Sequence, residues 1–192
     1  MFGRNAVVAL CAVGLIAGCT PAVKHLVPGS PLDGQKVEVQ EFAVKGAAVS
    51  NYDAPTDTLG MEVAQKIAKL LREGGVDARA IPSGGPPMAK IIVEGQVTEI
   101  DGGSRALRWI SSGGGVFGGG GFGAGSARFA VRGKVRRADG EVLRVFADER
   151  WSEPGFFGYI FGGDTETIMH ECVDTVALDI ANIITTGDKF SQ

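Results

Sequence analysis

The stretch SARFAVRGKVRRADGEVLRVFADERW, residues 126–151, constrains the fold more than any other part of the chain. Apolar or small residues alternate with polar ones on both sides of an ADG triplet, which is the period of a half-buried β-strand. A three-residue turn with its glycine in the left-handed position sets Arg137 opposite Glu141 and Val135 opposite Leu143, and it keeps the apolar residues on one face. A two-residue turn would instead place apolar and charged side chains on the same face of the hairpin. The stretch therefore predicts a β-hairpin with one apolar face.

The same alternation places a row of basic side chains on the outer face of this hairpin. The row consists of Arg128, Arg132, Lys134, Arg136 and Arg144. Two interpretations stay open. The row is a solvated sheet face with acidic neighbours such as Asp148, or it is a patch for an anionic partner such as a lipid head group or a cell-wall polymer.

Four further segments have a clear period. Residues 36–44 and 90–100 alternate as strands do, whereas residues 58–73 and 165–184 place apolar side chains three and four positions apart, as amphipathic helices do. Together with the hairpin they predict a single α+β domain over residues 35–187. The expected architecture is a mainly antiparallel sheet of four to five strands with both helices packed on one face.

The amino terminus predicts the compartment. Arg4 precedes an apolar run, AVVALCAVGLIAG, which is shorter than the roughly 20 apolar residues that a membrane-spanning helix needs. Residues 1–18 are therefore expected to be a signal peptide that is removed. The sequence IAGC, which ends at Cys19, resembles the lipobox of bacterial lipoprotein signal peptides. An ordinary secretory signal with a coincidental cysteine is the alternative.

The lipobox resemblance implies that a peptidase cuts before Cys19 and that acyl chains such as palmitate are attached there. Two or more chains anchor a protein stably, whereas one holds it only marginally. Thr20 stands where an aspartate would indicate retention in the inner membrane, so the resemblance implies the periplasmic face of the outer membrane. Residues 19–34 are rich in proline and glycine and predict a tether between lipid and domain.

Nine of the thirteen residues from Gly113 to Gly125 are glycine, and residues 111–125 predict a loop within the domain. The loop contains G-x-G-x-x-G, but an arginine-striped strand follows it instead of the helix that would receive a pyrophosphate, which argues against nucleotide binding. Residues 154–164 also set aromatic side chains between glycines. These aromatics either cover the core or contact a partner or the membrane interface. The residues in question are Phe117, Phe122, Phe156, Phe157, Tyr159 and Phe161.

The sequence predicts no catalytic residue, no metal site and no cofactor. Cys172 falls in a helical apolar pattern that is typical of a small buried side chain. His25 lies in the tether and His170 stands alone on a helix. The acidic pair Asp148 and Glu149 has no positioned partner. A formal net charge of −3 gives no indication of nucleic-acid binding.

Residues 36–184 as a whole resemble a family of bacterial lipoproteins called domain of unknown function 4410. The resemblance rests on an apolar strand, an arginine-containing step into glycine-alternating residues, a long strand, an acid and glycine turn, and a closing strand. The matching positions are Gly95, Arg105 or Arg108, Gly123, Gly125, Asp139 and Gly140. The resemblance implies an envelope lipoprotein, and it carries over no catalytic residue.

The sequence therefore predicts a lipid-anchored lipoprotein of the cell envelope with a non-catalytic binding or assembly role. Its lipid on Cys19 would bind the membrane, and its partner would be an envelope protein. A structural subunit of a homo-oligomer is the alternative. A hydrolase acting on envelope polymers is a weaker one, because no acid, base or metal constellation is visible.

Overall fold

The computed structural model describes residues 24, 30, 32–103, 126–152 and 165–186. Within these residues the chain forms six strands and two helices. The elements are β1 (Lys36–Gln40), β2 (Ala48–Ser50), α1 (Leu59–Glu73), β3 (Asp77–Ile81), β4 (Ile91–Asp101), β5 (Ala127–Arg137), β6 (Val142–Ser152) and α2 (Thr165–Thr186). Neither described helix is long and apolar enough to cross a bilayer.

All described strands belong to one mixed sheet, in which β3, β1, β4, β5 and β6 are neighbours in that order and β2 also pairs with β4. β1 runs parallel to β3 and β4, and β2 runs parallel to β4. Among the described strands, only the pairs β4–β5 and β5–β6 are antiparallel. The α+β class is confirmed, and the expected four to five strands approximate the six that the described residues form. The expectation of a mainly antiparallel sheet is wrong, because the sheet is mixed. The short strands β2 and β3 contain few large apolar residues, which hides them in the sequence.

Both helices pack on the same face of the sheet. α1 begins one residue later than predicted and supplies the crossover that brings β3 parallel to β1. α2 packs against α1, β5 and β6. The apolar stripes of the helices are buried as their spacing predicts, and they include Leu59, Val63, Ile67, Leu71, Ile168, Cys172, Val176 and Ile180.

The turn between β5 and β6 has the predicted length. The backbone amide of Arg137 donates to the carbonyl of Glu141 at 2.8 Å, which closes a loop of three residues. Gly140 has a φ of 98°, a backbone conformation that glycine adopts more readily than any other residue. The three-residue turn is therefore confirmed.

A β-bulge at Leu143 then changes the register of the hairpin. Val135 pairs with Arg144 instead of with the predicted Leu143, so the predicted pairing beyond the turn is wrong. Because of the extra residue, the β6 side chains that were expected on one face of the sheet lie on the other. As a result Arg144 and Phe146 point toward the helices, and Val145 points outward.

The exchange places Phe146 over a pair of glycines. Gly133 of β5 pairs with Gly95 of β4 on one side and with Phe146 on the other. The ring centroids of Phe146 and Phe42 lie 6.2 Å apart. A Cβ on Gly133 would lie 2.5 Å from Phe146 Cζ, and a Cβ on Gly95 would lie 2.5 Å from Phe42 Cε1. The two rings therefore occupy the space that side chains on the central strands would need.

One end of the domain, which we call the turn end, holds the β5–β6 turn. β4 begins here, because the amide of Ala138 in the turn donates to the carbonyl of Lys90 at 2.8 Å. α2 ends here, because Arg144 donates to the carbonyl oxygens of Ile183 and Ile184. A guanidinium at this position stabilises the negative end of the helix dipole.

The opposite end of the domain, which we call the far end, holds the end of β4, the start of β5 and the start of α2. Ala127 pairs with Ser152 there. Gly102 lies so close to α2 that a Cβ on it would be 2.5 Å from Thr165 Cγ2. The described residues that flank segments 104–125 and 153–164 therefore meet at the far end.

β1 is buried between β3 and β4, and it carries a buried carboxylate. Glu38 is 1% exposed, and it accepts hydrogen bonds from the amide of Met88 at 2.7 Å, from the amide of Ala89 at 3.1 Å and from the guanidinium of Arg79. Burial raises the pKa of Glu38, but these donors outweigh burial and hold the pKa below its ordinary value. Glu38 thus fixes the segment before β4 against β1.

Candidate binding face

The predicted lipid site and the predicted aromatic contacts lie outside the described residues. They are Cys19, Phe117, Phe122, Phe156, Phe157, Tyr159 and Phe161. Their roles stay predictions. The described candidates lie on the outer face of β4, β5 and β6, the face opposite the helices.

Arg128 is the most strongly paired member of the basic row. Its Nε donates to Glu149 at 2.7 Å and its Nη1 donates to Glu99 at 2.8 Å. Its guanidinium carbon also lies 5.0 Å from the ring centroid of Trp151, which is a cation–π distance. The hydrogen bond from Arg128 lowers the pKa of Glu149. Arg128 therefore acts as a cross-strand link that holds Trp151 in place.

Lys134 and Arg136 share one carboxylate. Glu94 on β4 lies 3.1 Å from Lys134 Nζ and 2.8 Å from Arg136 Nε. Burial raises the pKa of Glu94, but the two cations outweigh burial and hold that pKa below its ordinary value. Arg132 is exposed and is bound by a neutral group: with its amide oriented to satisfy both side chains, Gln96 accepts from Arg132 Nε at 3.1 Å and Nη2 at 3.0 Å.

Arg144 does not belong to the outer row. The bulge turns it toward the end of α2, so its predicted position on the outer face is wrong. The role of the other four residues as a patch for an anionic partner stays a prediction. Three of these four have carboxylate partners, which leaves Arg132 as the exposed cation of the row without a carboxylate partner in the described part of the chain.

The outer face of β6 carries Val145 and Ala147, which the sequence pattern assigned to the apolar face of the hairpin, together with Trp151 and Val142. Val145 is 70% exposed, Trp151 is 62% exposed and Val142 is 48% exposed. Ala147 is exposed between them. A shallow open depression of about 620 Å³ extends from this strip toward β1. Its lining includes Gln40, Ala43, Gln96, Arg132, Val145 and Ala147. The face is therefore an apolar strip beside a row of paired charges.

The acidic pair predicted at residues 148 and 149 is divided between the two faces of β6. Glu149 binds Arg128 on the outer face, whereas Asp148 lies on the helix side with Arg150 and Asp179. Burial, with Asp179 nearby, raises the pKa of Asp148 to about 6 despite Arg150. Asp148 Oδ2 is buried and has no hydrogen-bond partner among the described residues.

His170 and Cys172 have structural surroundings. His170 Nδ1 lies 2.7 Å from Glu62 Oε1 and so links α2 to α1, a partner that the sequence does not reveal. Cys172 is 1% exposed, as expected of a small buried side chain. In the described ranges, no three His, Cys, Asp or Glu residues are grouped so that they could hold a metal ion.

The fold and this face define an α+β domain with a helix layer on one side of a mixed sheet and a partly apolar, charge-paired face on the other. The chain belongs to the family Domain of unknown function (DUF4410), whose model matches residues 37–152. The resemblance inferred from the strand and turn pattern is thus confirmed. No curated protein matches the chain in sequence.

Three solved structures that are similar to the chain are a dodecamer, a lipoprotein and a member of another family of unknown function. A variant of PelC from Paraburkholderia phytofirmans, described as a dodecamer, is 15% identical and covers 85% of this chain and 94% of its own, with a TM-score of 0.49. A minor lipoprotein from Acinetobacter baumannii is 10% identical and covers 79% of this chain and 93% of its own, with a TM-score of 0.41. A Xanthomonas campestris protein of the family DUF330 is 10% identical over 85% of this chain and 91% of its own, with a TM-score of 0.49. Likenesses this distant define no function for the chain.

Proposed function

We propose that this chain is a lipid-anchored lipoprotein of the cell envelope with a non-catalytic binding or assembly role, and that the outer face of β5 and β6 makes the contact. The leader and Cys19 support the anchor, and Thr20 supports the periplasmic face of the outer membrane. The observation that carries the binding role is the exposure of Val145 and Trp151 on one face of β6.

The apolar strip is large enough to contribute to a contact. Burying a side chain such as valine contributes about 1.5–3 kcal/mol, and aromatic side chains contribute much of the energy of protein interfaces. Single exposed apolar residues are ordinary on protein surfaces. Here four of them, Val142, Val145, Ala147 and Trp151, lie on the same side of one strand, with Glu149 between the last two. Such a strip surrounded by paired charges has the composition of an interface core and its polar rim.

The position of β6 supports the alternative of a homo-oligomer. Within the described residues, β6 pairs only with β5 and lies at the edge of the sheet. A strand edge offers backbone donors and acceptors to another strand. A second copy that adds a strand to β6 would extend the sheet and place its own outward side chains beside the same apolar strip. The aromatic residues of segments 104–125 and 153–164 are proposed as a second contact.

The test of the binding face is photocrosslinking in native envelopes with the full, lipidated chain. One variant carries the crosslinker at Val145, and the matched control carries it at Lys69 of α1. Val145 as a residue and the side chain of Lys69 are each 70% exposed, but they lie on opposite sides of the domain. We expect Val145 to capture a partner and Lys69 to capture none.

The captured molecule separates the two roles. An envelope protein at Val145 supports a binding role, whereas a second copy of the chain supports the homo-oligomer. Equal capture at both positions, or none at Val145, contradicts a contact through this face. The anchor is tested separately by palmitate labelling of Cys19→Ala, because undiminished label on that variant contradicts lipidation of Cys19.

A further inference from the structure

The amino-terminal segment is attached to the last part of α2. The backbone amide of Lys24 donates to Asn182 Oδ1 at 2.8 Å. Asn182 is 4% exposed, and it lies four residues before the end of the helix at Thr186. A hydrogen bond to a buried amide side chain fixes the backbone at Lys24 relative to the turn end.

Two more residues of the same segment are attached to the turn end. Ser30 and Leu32 line a small depression together with Val135, Arg144 and Ile184. Leu32 is 4% exposed and belongs to the hydrophobic core. The segment that the sequence predicts as a tether is therefore packed against the domain at Lys24, Ser30 and Leu32.

The length of chain before Lys24 limits the position of Cys19. Lys24 is the fifth residue after Cys19, and a fully extended chain of that length spans about 18 Å. The helix from Asn182 back to Thr165 contains 18 residues, and its two ends lie about 26 Å apart. Cys19 therefore cannot reach the far end of the domain while Lys24 stays bound to Asn182.

We infer that the domain is oriented with its turn end toward the lipid surface and its far end away from it. The inference rests on the proposed lipidation of Cys19. β5 has 11 residues and spans about 36 Å between the two ends. The far end, where the described flanks of segments 104–125 and 153–164 meet, thus lies well beyond the head groups of the anchoring membrane. A contact made at the far end is with a partner in the periplasm, not with that membrane.

The orientation can be measured by fluorescence quenching on vesicles of phosphatidylethanolamine and phosphatidylglycerol that carry a nitroxide on the head group. The full, lipidated chain with Cys172→Ala receives a single labelled cysteine at Ala138→Cys or at Ser50→Cys. Both positions are exposed, and they mark the turn end and the far end. We expect loss of most fluorescence at Ala138→Cys and retention of it at Ser50→Cys. Equal quenching, or stronger quenching at Ser50→Cys, overturns the orientation.

A second variant tests the cause of the orientation. Asn182→Ala removes the acceptor for Lys24, so we expect the quenching difference between the two labels to decrease. The matched control is Thr175→Ala, which removes a hydroxyl bond to the carbonyl of Glu171 on the same helix and leaves Lys24 bound. An unchanged difference in Asn182→Ala contradicts the role of this hydrogen bond.

Flotation of the vesicles separates failure of the anchor from failure of the orientation. If the native chain floats and Cys19→Ala does not, the quenching data test the orientation alone. If Cys19→Ala floats as the native chain does, the lipid anchor is wrong and the orientation inferred from it is overturned with it.

Discussion

The buried carboxylate of Glu38 provides the sharpest test of the fold. Glu38→Ala removes the acceptor for the amides of Met88 and Ala89 and for the guanidinium of Arg79. Each hydrogen bond to a charged group contributes about 1.5–3 kcal/mol. Arg79 contributes least, because its side chain is 56% exposed and returns to water. We therefore expect the free energy of unfolding to decrease by about 3–5 kcal/mol.

Two further variants separate the contributions to this loss. Glu38→Gln keeps one side-chain oxygen, so we expect about half of the loss. Arg79→Ala leaves the carboxylate bound to both amides, so it should destabilise the fold less than Glu38→Ala does. Urea unfolding at pH 7, followed by circular dichroism, measures all three. If Arg79→Ala lowers the free energy of unfolding as much as Glu38→Ala does, the ion pair with Arg79 holds the segment before β4 and the two backbone amides do not. That result would refute the reasoning.

The pH dependence of the same loss follows from the lowered pKa of Glu38. A carboxyl group with a pKa below its ordinary 4.5 stabilises the fold fully above that value, and its contribution is lost as the pH falls through the folded-state pKa. The difference in the free energy of unfolding between the native chain and Glu38→Ala should therefore be constant from pH 7 to pH 5 and decrease below pH 4.5. A difference that grows in acid would contradict this assignment.

Three other substitutions have expected outcomes that urea unfolding can check. Asp148 keeps its proton in the folded state between its ordinary pKa of 3.8 and about 6. The free energy of unfolding of the native chain should therefore decrease by up to about 3 kcal/mol as the pH rises through that window, and Asp148→Asn should abolish this decrease. Gly133→Ala forces a Cβ to within 2.4 Å of the Glu94 carbonyl oxygen and 2.5 Å of Phe146 Cζ, and it should cost at least about 1–3 kcal/mol. Phe146→Leu in the double mutant should recover the part that is due to the ring, and full additivity would contradict the contact with Phe146. Arg144→Gln removes a cation from the end of α2 and should cost about 1 kcal/mol, whereas no change would indicate that the helix end is solvated instead.

The helices and the long strands could be predicted because their periods are long and regular. α1 and α2 repeat apolar residues every three or four positions over several turns, and β4 is displaced from its predicted bounds by one residue. β3 could not be found, since its sequence DARAI has one large apolar residue. The parallel pairing follows from that strand and from the crossover by α1, which local patterns do not encode.

The outer face was predictable on β5 and not on β6. On β5 an uninterrupted alternation places Arg128, Arg132, Lys134 and Arg136 outward, as the structure has them. On β6 the alternation is equally regular, but the packing of Phe146 against Gly133 turns the opposite set of side chains toward the helices. The bulge accommodates this change of register. The presence of glycine opposite phenylalanine is the sequence signal that could have indicated this phase.

The position of β1 determines how the domain responds to mechanical tension. The amino-terminal segment leads directly into β1, which hydrogen-bonds to β3 on one side and to β4 on the other. A pull on that segment acts along the strand, so the hydrogen bonds on both sides are loaded together in shear. Had the segment led into β6, the same force could have peeled an edge strand away one bond at a time. With the proposed lipid anchor and a partner at the far end, β1 would bear the load between them in shear.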